Sequence, residues 1–170
     1  FTMMQFAHKH FARVGGQQFY KLLGTGKAGF DPRPDFSTYA ILQVWDDQDK
    51  AEEFFENSQI FEKYSKKASE NYRIYLRNIM ARGEWSSANP FRKSTELSDI
   101  PFYAVITRAT IKTRFLLKFW RYVPRSRQHL QQNKGLLFTK GVGEVPFKNM
   151  ATFSLWTNLD ALNEFAYQSK

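Results

Sequence analysis

Tyr39–Phe55 reads YAILQVWDDQDKAEEFF, and Met150–Ala166 reads MATFSLWTNLDALNEFA. Aligned without gaps, five of the 17 positions are identical: Ala40/Ala151, Trp45/Trp156, Asp49/Asp160, Glu53/Glu164 and Phe54/Phe165. Each stretch is a β-type run closed by Trp, then a polar step, then an apolar pattern at helical spacing. Upstream, Lys21–Gly26 (KLLGTG) has a counterpart in Phe138–Gly143 (FTKGVG), each ending in Gly-x-Gly. Any one match could be chance. The same order of types in both halves is the mark of an internal duplication.

Working outward from these stretches gives the repeating unit. Phe102–Ile111 is rich in β-branched and aromatic residues and reads as a strand. Leu116, Phe119, Trp120, Val123 and Leu130 then recur at helical spacing. Gly135–Lys140 and Ala151–Trp156 read as two strands, and a last helix follows with Asn158 as its N-cap. The first half shows a helix carrying Met4, Ala7, Phe11 and Val14, then strands at Gln18–Leu23 and Thr38–Trp45. A helix from Ala51 to Ala68 and a closing strand at Tyr72–Met80 complete it.

The predicted fold is α+β: tandem ferredoxin-like βαββαβ units forming an α+β barrel. Residues 1–82 are the first unit, 83–100 a linker and 101–170 the second. Each unit lacks one outer strand, as expected of a fragment trimmed at both ends. Alternation places Ala40, Leu42 and Val44, with Ala151, Phe153 and Leu155, beneath the helices. The opposite face would carry Ile41, Gln43 and Trp45 in one copy and Thr152, Ser154 and Trp156 in the other. That mixed face suits a barrel cavity; alternatively, Trp45 and Trp156 simply close the core at strand ends.

Composition narrows the chemistry. The 170 residues include no cysteine and three histidines, which excludes disulfides, thiolate nucleophiles and Cys-ligated metals. The lack of cysteine fits a reducing cytoplasm. No apolar run approaches the roughly 20 residues of a membrane span. Net charge is +9, unevenly placed: residues 1–100 carry 14 basic and 13 acidic groups, residues 101–170 carry 11 and three. An anionic partner of the second half is therefore expected.

Several motifs also have a simpler reading. Gly24–Gly29 matches G-x-G-x-x-G, but Pro32 and Pro34 forbid the helix a dinucleotide site needs. Lys140–Val145 partly resembles an RNA-recognition signature, yet Val142 and Glu144 stand where stacking aromatics belong, so nucleic acid is disfavoured. Arg114, Lys118, Arg121 and Arg125 form a basic stripe. It reads either as a solvated helix face or as a dock for anionic lipid, with Pro124 a source of kinking. Arg108 alternates with Ala104, Ile106 and Thr110, and offers a cation to a carboxylate or propionate if its face lines the cavity. His8, His10 and His129 read as structural rather than metal-ligating. Hydrolase and phosphoryl-transfer motifs are absent.

PDFSTYAILQVW (34–45), ARGEW (81–85), NPF (89–91), TRATI (107–111), FWRYVP (119–124), GVGEVP (141–146) and ATFSLW (151–156) together resemble the spheroidene monooxygenase family of acyclic carotenoid ketolases. The resemblance implies a monooxygenase that oxygenates a long polyene using dioxygen and an external electron donor, with haem as cofactor. It also implies a pocket for an apolar substrate, for which Gln43, Trp45, Arg108, Ser154 and Trp156 are the candidates. The expected location is cytoplasmic and peripheral on a membrane. Related haem barrels place an axial His on the helix past an Asn-Ser step, but the helix after Asn57-Ser58 runs through Lys63, Tyr64, Ser65 and Lys66 with no His; the ligand is expected beyond Lys170. No catalytic residue is carried over. The alternatives are a haem-degrading or small-molecule monooxygenase relative, and a non-catalytic module binding an apolar ligand.

Overall fold

Pro32 and Pro34 exclude a helix after the glycine run, and in the computed structural model that stretch is strand. The structure describes residues 2–28, 31–95, 101–123, 133–145 and 149–168. Along the chain run α1 (Thr2–Phe11), β1 (Gln17–Lys27), β2 (Asp31–Trp45), α2 (Gln48–Asn57) and α3 (Gln59–Ser65). Then come β3 (Tyr103–Thr110), a 3-10 turn (Thr113–Phe115), helix α4 over 116–123, β4 (Leu136–Val145), β5 (Asn149–Trp156) and α5 (Leu159–Gln168). Leu130, Pro124 and His129 lie outside the described residues.

Two expectations about elements are corrected. The single helix expected from Ala51 to Ala68 is two, because Ser58 adopts an extended conformation (φ −81°, ψ 117°) between α2 and α3. Asn57 and Ser58 are residues whose side chains compete for backbone groups, and they interrupt the ladder. Tyr72–Met80 has strand composition but no regular structure, and Tyr72 is 82% exposed. A strand needs a ladder of hydrogen bonds to a neighbour, and this segment is not among the strands of the sheet; Asn78 alone accepts a backbone N–H, from Ser94 at 2.8 Å, among the described residues.

The described chain forms two compact units, residues 1–22 with 41–97, and residues 23–40 with 98–170. In the first, Ala7 and Phe11 of α1, Leu22 of β1 and Ile60 of α3 form a buried cluster. Tyr20, Ile41, Phe54, Phe61 and Tyr64 pack around it. Phe11 meets the rings of Tyr20, Phe54 and Phe61 at 5.6–6.0 Å, so aromatic contacts dominate this core. Asp47 caps α2 by accepting the Lys50 N–H at 2.9 Å.

The second unit is built on a sheet. The strand order is β2-β1-β4-β5-β3 in one five-stranded sheet, where a barrel of two ferredoxin-like units was expected. The central seam is antiparallel, with Gly24 opposite Gly143 and Thr25 opposite Val142. β4 pairs β5 and β5 pairs β3, both antiparallel. A side chain on Gly143 would sit 2.8 Å from the Asn149 carbonyl oxygen, so the bulged end of β4 requires glycine. Asn158 caps α5, its Oδ1 accepting the Ala161 N–H at 2.8 Å.

Candidate functional site

Register and the two-residue strand period assign the faces of the second unit's sheet. One face carries Trp156, Ser154 and Thr152 of β5 beside Thr139 of β4 and Val105 of β3. α5 lies on this face: Trp156 is 1% exposed, and its ring sits 5.3 Å from Phe165. The Trp156 indole N–H donates to Ser154 Oγ at 2.9 Å, which settles both polar groups inside the core.

The other face carries Ala104, Ile106 and Arg108 of β3, Leu155, Phe153 and Ala151 of β5, and Phe138, Lys140, Val142 and Glu144 of β4. Phe138 and Phe153 meet across the strands at 6.2 Å, and Phe138 remains 47% exposed. Two ion pairs share this face, one beyond Ala151 and one beside Phe153. Arg108 stands 3.8 Å from Glu144, and Lys140 stands 3.0 Å from Asp35. The Asp35 carboxyl is held well below the usual carboxylate range, first by the Ser37 hydroxyl at 2.5 Å and then by the Lys140 ammonium.

The face assignment made from sequence is therefore reversed. Ser154 and Trp156 lie under α5, whereas Phe153 and Leu155 share the other side with Arg108. The first unit agrees: Ile41 packs on the helix-covered cluster, and Trp45 sits 5.3 Å from Phe54 of α2. Apolarity alone misled the alternation, because indole rings close a core beneath helices as readily as they line a hollow. Gln43 donates to Gln17 Oε1 at 2.6 Å. The Trp45 N–H is buried without a partner, and residue 43, in the place of Ser154, is an amide already engaged elsewhere.

Of the basic stripe, Arg114 stands in the 3-10 turn with its guanidinium over Phe115, and Lys118 and Arg121 lie on α4; all three are exposed. Arg125 lies outside the described residues. Haem requires an axial donor. His8 and His10 occupy the last turn of α1, where His8 Nδ1 is 3.3 Å from the Tyr20 hydroxyl. α3 offers no histidine after Asn57-Ser58, and Arg108 already faces Glu144. Nor do three or more metal-ligating side chains cluster among the described residues. This set does not assemble a haem site, and no step is routed through one.

Sequence reasoning missed a cleft in the first unit, within the segment read as linker. Trp85 is 5% exposed and packs edge-on against Phe19 and Phe91, with centroids 5.9 and 6.3 Å away. Trp85 N–H donates to the Ala88 carbonyl at 2.6 Å, and Ser86 and Ser87 between them have φ of 60° and 67°. Both angles lie in the left-handed region that favours Gly and Asn. Two serines there store about 1–3 kcal/mol each. The available signal was Trp85 itself, a large apolar residue inside a polar run.

The architecture defines an α+β protein whose second unit is an antiparallel sheet covered by helix on one face. No family model matches the chain. It is 36% identical over 150 residues to spheroidene monooxygenase of Cereibacter sphaeroides, covering 88% of this chain and 46% of that protein. It is 32% identical to the spheroidene monooxygenases of Rhodobacter capsulatus and Rubrivivax gelatinosus, covering 63% and 59% of those proteins and 88% and 89% of this chain. The chain is similar to these spheroidene monooxygenases over most of its own length, and spans about half to three-fifths of theirs. A Fusobacterium nucleatum structure provisionally assigned as a monooxygenase aligns with a TM-score of 0.39 and 11% identity, over 96% of this chain and 70% of that one. A likeness of that size carries no argument.

Proposed function

We propose that this chain is part of a monooxygenase acting on a long apolar polyene of the carotenoid class. The observation that carries the reading is the 32–36% identity to three spheroidene monooxygenases over most of the chain. In the second unit, the side of the sheet bearing Phe138, Phe153, Ile106 and Leu155 supports it: an apolar surface with its charged groups held in two ion pairs suits a long hydrocarbon with few polar atoms. Side chains of this composition supply no redox chemistry, so one oxygen atom of dioxygen enters the substrate and the other leaves as water only with two electrons from an external donor and two protons from solvent. Haem is proposed as the cofactor by resemblance, with its ligand not among the described residues. The exposed Arg114, Lys118 and Arg121 are proposed to meet an anionic membrane surface where such a substrate dissolves.

An internal duplication is proposed alongside. Trp45 and Trp156 each sit 5.3 Å from the Phe nine residues on. The next residue, Asp46 or Thr157, donates its N–H to a glycine carbonyl, Gly16 or Gly135, at 2.9 Å in both. Thr25 and Val142 are equivalent positions of the two glycine strands and pair with each other, as in a self-complementary seam.

The test expresses the full-length protein in a host that accumulates an acyclic carotenoid. An oxygenated product, with a Soret band in the purified protein, is the expected result. Substrate unchanged by wild type under electron supply overturns the enzymatic reading. Turnover without a Soret band overturns haem alone. Phe153→Asp is expected to reduce turnover at least tenfold while Tyr72→Asp is silent; equal effects remove the apolar surface from the reading.

A further inference from the structure

The cleft beside Trp85 has a volume of about 280 Å3, near the lower end for small-molecule sites. Phe19, Trp85 and Pro90 supply its apolar wall, and Gln18, Asn89 and Arg92 its polar groups. The two amides are already oriented. Gln18 donates its Nε2 to the Asp46 carboxylate at 2.7 Å, so that end must be nitrogen. Asn89 accepts the Phe91 N–H on Oδ1 at 3.0 Å, so that end must be oxygen. What remains is an acceptor on Gln18 and a donor on Asn89, both residues lining the cleft together with the Arg92 guanidinium and the aromatic wall. Anchored amides of this kind lose little freedom on binding. The wall is firmly set, with three rings in mutual edge contact at 5.9–6.3 Å.

From this arrangement we infer that the Trp85 cleft is a binding site for a planar heterocycle with a carboxamide or lactam edge and an anionic substituent. Donor and acceptor on the ligand edge meet Gln18 and Asn89, the ring lies along Trp85 and Phe19, and the anion meets Arg92. An apolar ring without that edge leaves both amides to water and gains only the wall. A simple anion gains only Arg92. The site lies wholly within the first unit and does not depend on the proposed oxygenase activity.

The experiment uses full-length protein labelled with 5-fluorotryptophan and followed by fluorine NMR, with the Trp85 signal assigned through Trp85→Phe. The probes are nicotinamide mononucleotide, nicotinamide and toluene. Saturable movement of the Trp85 signal is expected with the first two at millimolar concentration, the mononucleotide binding more tightly. Asn89→Asp keeps the oxygen that holds Phe91 N–H and exchanges the donor for a charged acceptor, so uncharged nicotinamide reads the lost donor without charge repulsion of the probe. It is expected to weaken both amide probes about five- to tenfold. Arg92→Gln is expected to weaken the mononucleotide about tenfold and leave nicotinamide unchanged. Unchanged melting temperatures would show that both variants fold. Toluene moving the Trp85 signal as well as nicotinamide, no saturable shift with either amide probe, or insensitivity to Asn89→Asp in a folded protein would each overturn the assignment.

Discussion

Ser154 shows how much one hydroxyl decides. Buried on the helix-covered face, it accepts the indole N–H of Trp156, which has no water to turn to. Ser154→Ala is expected to cost about 1–2 kcal/mol by leaving that donor unsatisfied, read from urea denaturation. Asp35 offers a second test. Its folded-state pKa is depressed by Ser37 and then Lys140, so its contribution is present in full above the unfolded carboxylate value near 4 and is lost as pH falls below it. Asp35→Asn is therefore expected to lower stability by about 1.5 kcal/mol at pH 7, with the gap to wild type closing towards pH 2. A gap independent of pH would mean that the pair is held by packing rather than charge.

At the scale of elements, two glycines two residues apart on one strand make unlike demands. Nothing lies within 4 Å of where a Gly141 side chain would begin, whereas Gly143 faces the Asn149 carbonyl at 2.8 Å. Gly143→Ala is expected to destabilise by about 1–3 kcal/mol, the ordinary cost of overpacking. Gly141→Ala should be close to neutral, as thermal melts will show. Most elements were legible in the sequence because their signals are local: Asp47 and Asn158 as caps, Pro32 and Pro34 against helix, β-branched residues in β3. What was not legible depends on partners. Tyr72–Met80 has the composition of a strand and joins no sheet, and alternation gave two faces without saying which of them the helices cover. The Trp85 cleft escaped for the same reason, since Phe19 comes to it from 66 positions away.

At the scale of the whole molecule, charge is the property that reaches furthest. The second half carries 11 basic against three acidic residues, and Arg114, Lys118 and Arg121 are exposed. Each such residue near an anionic bilayer contributes about 1 kcal/mol. Changing these three and Arg125 to Glu is expected to abolish flotation with phosphatidylserine-rich liposomes, and unaltered flotation would remove the membrane dock. The seam of β1 and β4, with Thr25 opposite Val142, has a different bearing. Were its two sides carried by separate polypeptides, their meeting would follow mass action and fail at low enough protein levels. Tethered by the same backbone, they meet at an effective concentration fixed by the intervening chain. Dilution leaves that junction closed, and either side is free to drift in sequence without waiting for an identical change in the other.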